Sequence, residues 1–245
     1  MQRYFVAEKK DEYLFAQSND IHHMQKVMRY KNGDQVIGLI HEKCYLCTID
    51  SLEEGKLKIV EEMENSTELD HEVTLIYSMP KGDKFEFVLQ KATELGVNRI
   101  VPLISKRTVV KLDEKSFAKK KIRYEKIIKE ACEQSYRNKI PVITDYVTLK
   151  QLPAYLGDIN LVAYEEEAKR GESSNLKQAL SKAKPKESIT IIVGCEGGFE
   201  QSEIDYMKEA GVISCSLGKR ILRSETAPLY MLSVISYELE LTDHE

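Results

Sequence analysis

The feature that most constrains the fold is a change of texture near residue 71. Before it, the apolar runs 35–40, 43–49 and 56–60 are short and punctuated by turn residues, Asn32-Gly33-Asp34 and Glu54-Gly55. That pattern predicts a small β module. After it, apolar runs at 73–78, 99–104, 141–144, 159–164, 188–193 and 212–217 alternate with helical segments. A β-α-β-α order predicts a mostly parallel sheet covered by helices, with sites at the carboxyl ends of strands. The polar stretch 61–72 reads as a linker, so two domains are expected, 1–70 and 71–245.

Within this frame, Asp20 is expected to cap a short helix carrying Ile21, Met24, Val27 and Met28 at helical spacing. A helix over 83–95 stops at Gly96, and the longest spans 117–136. Its Tyr124, Ile127, Ile128, Ala131 and Ser135 share one face, while Lys119, Lys120, Lys121, Arg123, Lys126 and Lys129 occupy much of the remainder.

Two glycine-bearing segments follow apolar runs: Gly194-Cys195-Glu196-Gly197-Gly198-Phe199, and Leu217-Gly218-Lys219-Arg220-Ile221-Leu222-Arg223-Ser224-Glu225-Thr226-Ala227-Pro228. Glycine allows close backbone approach and positive φ, so two such loops at strand ends suggest one ligand pocket walled by main chain. The first loop is neither a P-loop, lacking the closing Lys-Ser/Thr, nor a dinucleotide fingerprint, since Glu196 replaces the second glycine. A carboxylate there repels pyrophosphate and suits a neutral ligand or one with positive charge nearby. A tight turn with a capping acid is the plainer reading. In the second loop, Lys219, Arg220 and Arg223 surround Glu225; the arginine forks suit phosphate or carboxylate, or an internal Arg223–Glu225 or Arg220–Glu196 ion pair.

The composition, 42% hydrophobic and 31% charged over 245 residues, suits a soluble globular chain with a sizeable core. No run approaches a membrane span and the N-terminus lacks a signal-peptide core, so a cytoplasmic location is expected. The five cysteines (44, 47, 132, 195, 215) form no disulfide framework. Cys44 and Cys47 have zinc-like spacing without a second pair, and the histidines show no ligand spacing, so no metal is expected. The net charge is −4, yet from Arg99 to Lys139 there are 13 Lys and Arg against 5 Asp and Glu. Such segregation makes either a basic face for phosphates or a solvated helix surface.

These residues together resemble the RsmE family of 16S ribosomal RNA uridine-N3 methyltransferases, within the SPOUT superfamily. The likeness spans nearly the whole chain: Arg3-Tyr4-Phe5, His22 through Arg29, Lys81 through Glu86, Gln90 through Val97, Ser105 through Lys111, Ala131 through Asn138, and both glycine loops. It implies a small N-terminal PUA-like β-barrel that binds RNA, and a C-terminal SPOUT α/β domain with a deep trefoil knot. It further implies a homodimer, S-adenosylmethionine as cofactor, and 16S rRNA in the 30S subunit as substrate. Cofactor contacts fall on Leu161 and Ala163, on Gly194, Glu196, Gly197 and Gly198, and on Leu217, Gly218, Ile221, Leu222, Thr226 and Ala227. RNA contacts fall on Arg3, Arg29, Arg107, Lys111 and Arg137, with Lys119, Lys120, Lys121 and Arg123 on the long helix.

The chain departs from the family at Cys195, where proline is usual, which removes a φ restraint. Leu39-Ile40-His41-Glu42-Lys43 also replaces an aspartate-glycine turn. For N3 methylation the imide proton must leave; Arg223, with Arg107 or Arg137, is expected to stabilise the uridine anion, and Glu133 or water to take the proton. The rivals are a SPOUT enzyme acting on ribose 2′-hydroxyls or transfer RNA, and a non-catalytic RNA-binding or ribosome-assembly protein.

Overall fold

The N-terminal strands are β1 (Arg3–Phe5), β2 (Glu8–Lys10) and β3 (Tyr13–Phe15), followed by helix α1 (Ser18–His22) and strands β4 (Gln35–Ile40), β5 (Lys43–Ser51) and β6 (Lys56–Met63). The computed structural model describes residues 1–64, 67–111 and 113–241. The six strands form one sheet in the order β1-β4-β5-β6-β3-β2, antiparallel except for β1 against β4. Tyr4, Leu14, Met24, Val36, Tyr45, Ile49 and Leu57 fill its core. Cys44 and Cys47, three apart along β5, belong to different packing clusters. Burial pushes the Cys47 thiol up to about 11, which disfavours the thiolate a metal needs.

Two expectations change here. Asp20 lies inside α1, behind the cap residue Gln17, and accepts two hydrogen bonds from Lys129 Nζ (2.7 and 2.8 Å). After α1 the chain winds into a π-helical turn over His23–Val27. Its wider winding shifts the helical phase, so Met24 is buried while Val27 is 62% exposed. In addition, His41 and Glu42 both take positive φ (51° and 64°) between β4 and β5. This is the left-handed geometry of a tight hairpin turn, normally given to Asn or Gly, and two non-glycine residues adopt it here at some cost.

The second run comprises β7 (Val73–Ser78), α2 (Lys84–Glu94), β8 (Arg99–Ile104), α3 (Glu114–Gln134), β9 (Val142–Ile143), β10 (Val147–Thr148) and β11 (Ile159–Ala163). It continues through α4 (Glu165–Lys169), α5 (Asn175–Leu180), β12 (Ile189–Val193), α6 (Gln201–Glu209), β13 (Ile213–Cys215) and α7 (Thr226–Glu240). The sheet order is β10-β8-β7-β12-β11-β13, with β9 also beside β8, and every pairing is parallel. Every residue of β7 and β12 is buried, as strands covered on both faces require. Alternate side chains enter opposite layers: Leu75 and Ile191 pack with Met231, Leu232 and Ile235 of α7, while Ile76 and Ile192 pack with Phe199, Ile204 and Met207. Each such buried aliphatic side chain contributes roughly 1.5–3 kcal/mol.

The chain divides into one unit of Met1–Glu68 with Lys129–Ile140, and another of Leu69–Ile128 with the chain from Pro141 onward. The expected boundary at 70 falls beside this break, but the last turns of α3 and the segment after it belong to the N-terminal unit. Glu68 explains much of that: its carboxylate ion-pairs with Arg137 and accepts the backbone N–H groups of Asn138 and Lys139 (2.9 and 3.0 Å). The polar stretch 61–72 is therefore only partly a linker, since β6 runs to Met63 and His71 is buried with Nδ1 2.8 Å from the Glu187 carbonyl. Asn65 and Ser66 lie outside the described residues.

Candidate functional site

Strands β11 and β12 end side by side, and the chain leaving each one helps enclose a cavity of about 580 Å³. That is within the range of small-molecule sites, roughly 300–1,000 Å³. One wall is the Gly194–Phe199 loop, a second is the 217–224 segment before α7, and Ala163, Tyr164 and Glu165 form a third. The first loop has no room for a side chain at Gly194 and little at Gly197. A Cβ on Gly194 would lie 2.9 Å from Gly198 Cα, and one on Gly197 would lie 3.1 Å from Arg107 Cβ. Gly198 takes φ +63° and donates its N–H to the Cys195 carbonyl (2.9 Å), closing a tight turn. The Cys195 thiol is buried and donates to the Arg107 carbonyl (3.3 Å), so it ties the loop to its neighbour where a proline would stiffen it covalently.

The charges at the cavity are arranged asymmetrically. Glu196 and Glu225 do not pair with the nearby arginines; both carboxylates lie 3.1 Å from Lys84 Nζ. Glu196 also accepts the Lys81 N–H (3.2 Å), and Glu225 accepts the Ser224 hydroxyl (3.2 Å). Partial burial penalises their charged forms, but these bonds outweigh it and hold both carboxyls below the usual range. Lys219, Arg220 and Arg223 also line the cavity, and among the described residues none forms an ion pair. Arg107 donates to the Gly197 carbonyl (2.8 Å), which places its guanidinium at the same rim. Lys84 was not singled out from the sequence. The available signal was its position: a lysine as the first residue of a helix opposes the helix dipole and calls for a nearby acid.

Of the expected cofactor residues, Ala163, Gly194, Glu196, Gly197, Gly198, Leu217, Gly218, Ile221, Leu222 and Ala227 line the cavity, as does Arg223. Leu161 is fully buried in the core behind the wall, and Thr226, at the start of α7, is exposed but outside the lining. Glu133 is not among the residues that line the cavity. It accepts the Phe5 N–H (3.3 Å) and lies 3.6 Å from Lys129 within the N-terminal unit.

Two expected RNA contacts are buried instead. Arg3 is 1% exposed, with its guanidinium over the Tyr136 ring and bonded to Asn138 Oδ1; Arg137 is 2% exposed and paired with Glu68. Both have become internal ties, because a carboxylate or amide distant in sequence reaches them. Arg29, Lys111, Lys119, Lys120 and Arg123 are exposed, although Arg123 is paired with Glu86 (2.7 Å) and Lys121 with Asp145 (2.9 Å).

An RNA methyltransferase domain model matches residues 67–236, and an RNA methyltransferase PUA domain model matches residues 17–62. The ribosomal RNA small subunit methyltransferase E of Bacillus subtilis (strain 168) is 40% identical over 98% of both chains. The chain belongs to the ribosomal RNA small subunit methyltransferase E family. Its Mesomycoplasma hyopneumoniae (strain 232) member is 33% identical over 95% of this chain and 98% of its own. The fold follows the family as well: the Neisseria gonorrhoeae member, solved bound to S-adenosyl methionine, superposes with a TM-score of 0.83 at 28% identity over 96% and 97% of the two chains. A Legionella pneumophila chain solved with bound SAM gives the same TM-score at 29% identity over 96% of each. The α/β methyltransferase fold with a PUA-like N-terminal domain, expected from the resemblance, therefore holds.

Proposed function

We propose that this protein transfers a methyl group from S-adenosylmethionine to N3 of a specific uridine in 16S ribosomal RNA of the small subunit. The observation that carries the proposal is the cavity's division of labour. Backbone and apolar side chains wall one part, and unpaired guanidinium groups stand at another. The residues fit the cofactor: Gly198 and Gly218, where an added Cβ would meet nothing within 4 Å, leave main chain open to the cavity, Leu217, Ile221, Leu222 and Ala227 offer an apolar bed for a purine, and Glu165 suits a cationic ligand. When bound, S-adenosylmethionine supplies an electrophilic methyl group.

The protein's own part is to position the base and offset the charge that develops as the N3 proton leaves. In this reading Arg223, which lines the cavity, stabilises the uracil anion, and Arg107 at the rim holds the RNA backbone. Glu133 is engaged elsewhere, so the proton passes to solvent water. N3 of a paired uridine is hidden, and the target must be unpaired or flipped to enter. By the family resemblance we further infer a trefoil knot in the C-terminal domain, a PUA-like RNA-gripping module within 1–70, a homodimer, and action on the 30S subunit in the cytoplasm. No helix among the described residues is long and apolar enough to cross a membrane.

The test is transfer of labelled methyl to unmodified 30S subunits, naked 16S RNA and transfer RNA, followed by nucleoside analysis. The expected product is N3-methyluridine from the subunits. Label on ribose or on transfer RNA overturns the substrate assignment, and cofactor binding without any transfer favours a non-catalytic role. Arg223→Ala should lower kcat by roughly 10²–10³-fold while cofactor affinity stays nearly unchanged; equal loss of both sinks the role given to Arg223.

A further inference from the structure

One side chain joins the two loops of the cavity. Lys84 Nζ lies 3.1 Å from a carboxylate oxygen of Glu196, in the loop after β12, and 3.1 Å from one of Glu225, in the turn leading into α7. Lys84 stands as the first residue of α2, where the helix dipole disfavours a cation, so the two acids compensate an otherwise unfavourable position. Three other cations, all in the second loop, line the same cavity as Glu196. Arg223 is two residues from Glu225, and Lys219 and Arg220 line the same cavity. An arginine facing an unoccupied carboxylate readily forms a bidentate pair. Here both carboxylates lie on Lys84, and among the described residues neither Arg220 nor Arg223 forms an ion pair.

We propose that Lys84 is a positioning residue of the methyl-transfer site: by occupying Glu196 and Glu225 it keeps Arg220 and Arg223 free to meet the anionic RNA. The inference rests on the reading of this cavity as an RNA methyltransferase site. Lys84 itself lines the cavity, but the role assigned to it passes through the two acids. The Ser224 hydroxyl bond to Glu225 and the Lys81 N–H bond to Glu196 hold the carboxylates in place and leave the lysine as their only cationic partner among the described residues.

The deciding experiment compares Lys84→Met, Lys84→Arg and the triple variant Lys84→Met/Glu196→Gln/Glu225→Gln with the wild type. It measures affinity for naked 16S RNA across a salt series, together with S-adenosylmethionine affinity by calorimetry. In Lys84→Met the freed acids recapture the arginines, so RNA affinity should fall about tenfold to a hundredfold. The slope of log K against log salt should then shrink by about one for each arginine lost. The triple variant, which has no acid left to recapture them, should recover most of both losses, and Lys84→Arg should keep wild-type behaviour. A lysine that touched RNA itself, or merely braced the fold, would leave the triple variant as weak as Lys84→Met. That outcome, or a wild-type salt slope in Lys84→Met, overturns the proposal. Because these readouts are binding measurements, they judge Lys84 even if the wild type transfers no methyl to any RNA, which would be the failure of the functional reading instead.

Discussion

Glu133 or water was expected to take the uridine proton, and the carboxyl of Glu133 lies in a buried network of the N-terminal unit. Its carboxyl shares Lys129 with Asp20, accepts the Phe5 N–H, and lies near the Tyr4 hydroxyl, which is itself 3.0 Å from His23 Nδ1. Burial, with Asp20 adding repulsion, outweighs the attraction of Lys129 and the Phe5 bond and raises the Glu133 carboxyl to about 7. A folded-state value above the unfolded one means that the folded protein binds the proton more tightly. The associated stability is fully present below about pH 4.5 and is lost as pH rises through about 7. Glu133→Gln mimics the protonated form, so it should flatten the fall in melting temperature between pH 5 and 8. At pH 8 it should stabilise by on the order of 1 kcal/mol. Melting curves across that range check it, and an unchanged slope would mean that the carboxyl titrates at its ordinary value.

At the scale of elements, α3 carries the clearest basic surface. Lys119 and Lys120 are exposed and have no ion-pair partner among the described residues, whereas Lys121 and Arg123 are committed to Asp145 and Glu86. The double reversal Lys119→Glu/Lys120→Glu should weaken binding to 16S RNA and reduce its salt slope by about two, with no change in cofactor affinity. A salt titration of both affinities decides it; an unaltered slope leaves α3 a solvated face. This helix also shows what the sequence can and cannot convey. Its buried face was readable because Tyr124, Ile128 and Ala131 recur at helical spacing, and β7 and β12 were readable because strands covered on both sides are continuously apolar. The three-residue strands β1 to β3 were not, since β2 is Glu8-Lys9-Lys10, wholly exposed, with its backbone paired to β3. The glycine loops were legible because close backbone approach leaves a residue signature. The burial of Arg3 and Arg137 and the bridge made by Lys84 were not, because each depends on a partner that only the tertiary fold supplies.

At the scale of the whole molecule, apolar surface remains to be explained on α2 and α7. Tyr230, Tyr237 and Leu241 recur at helical spacing along and just beyond α7 and are 40%, 59% and 74% exposed; Phe87 of α2, a helix that packs with α7, is 46% exposed. Isolated exposed apolar residues are ordinary, whereas aromatic side chains recurring along one helix suit an association surface. The inferred homodimer gives this surface an occupant: a second copy meeting it across a two-fold axis, so that the same residues are used twice. A charge on that surface is then introduced twice, facing itself, and is desolvated on association. Tyr230→Asp/Tyr237→Asp should therefore shift the protein from dimer to monomer in sedimentation equilibrium at micromolar concentration. Both tyrosines are partly exposed, so the monomer should keep its secondary structure. Retention of the dimer by this variant would move the interface to another face of the molecule, and a wild type that sediments as a monomer would remove the dimer altogether.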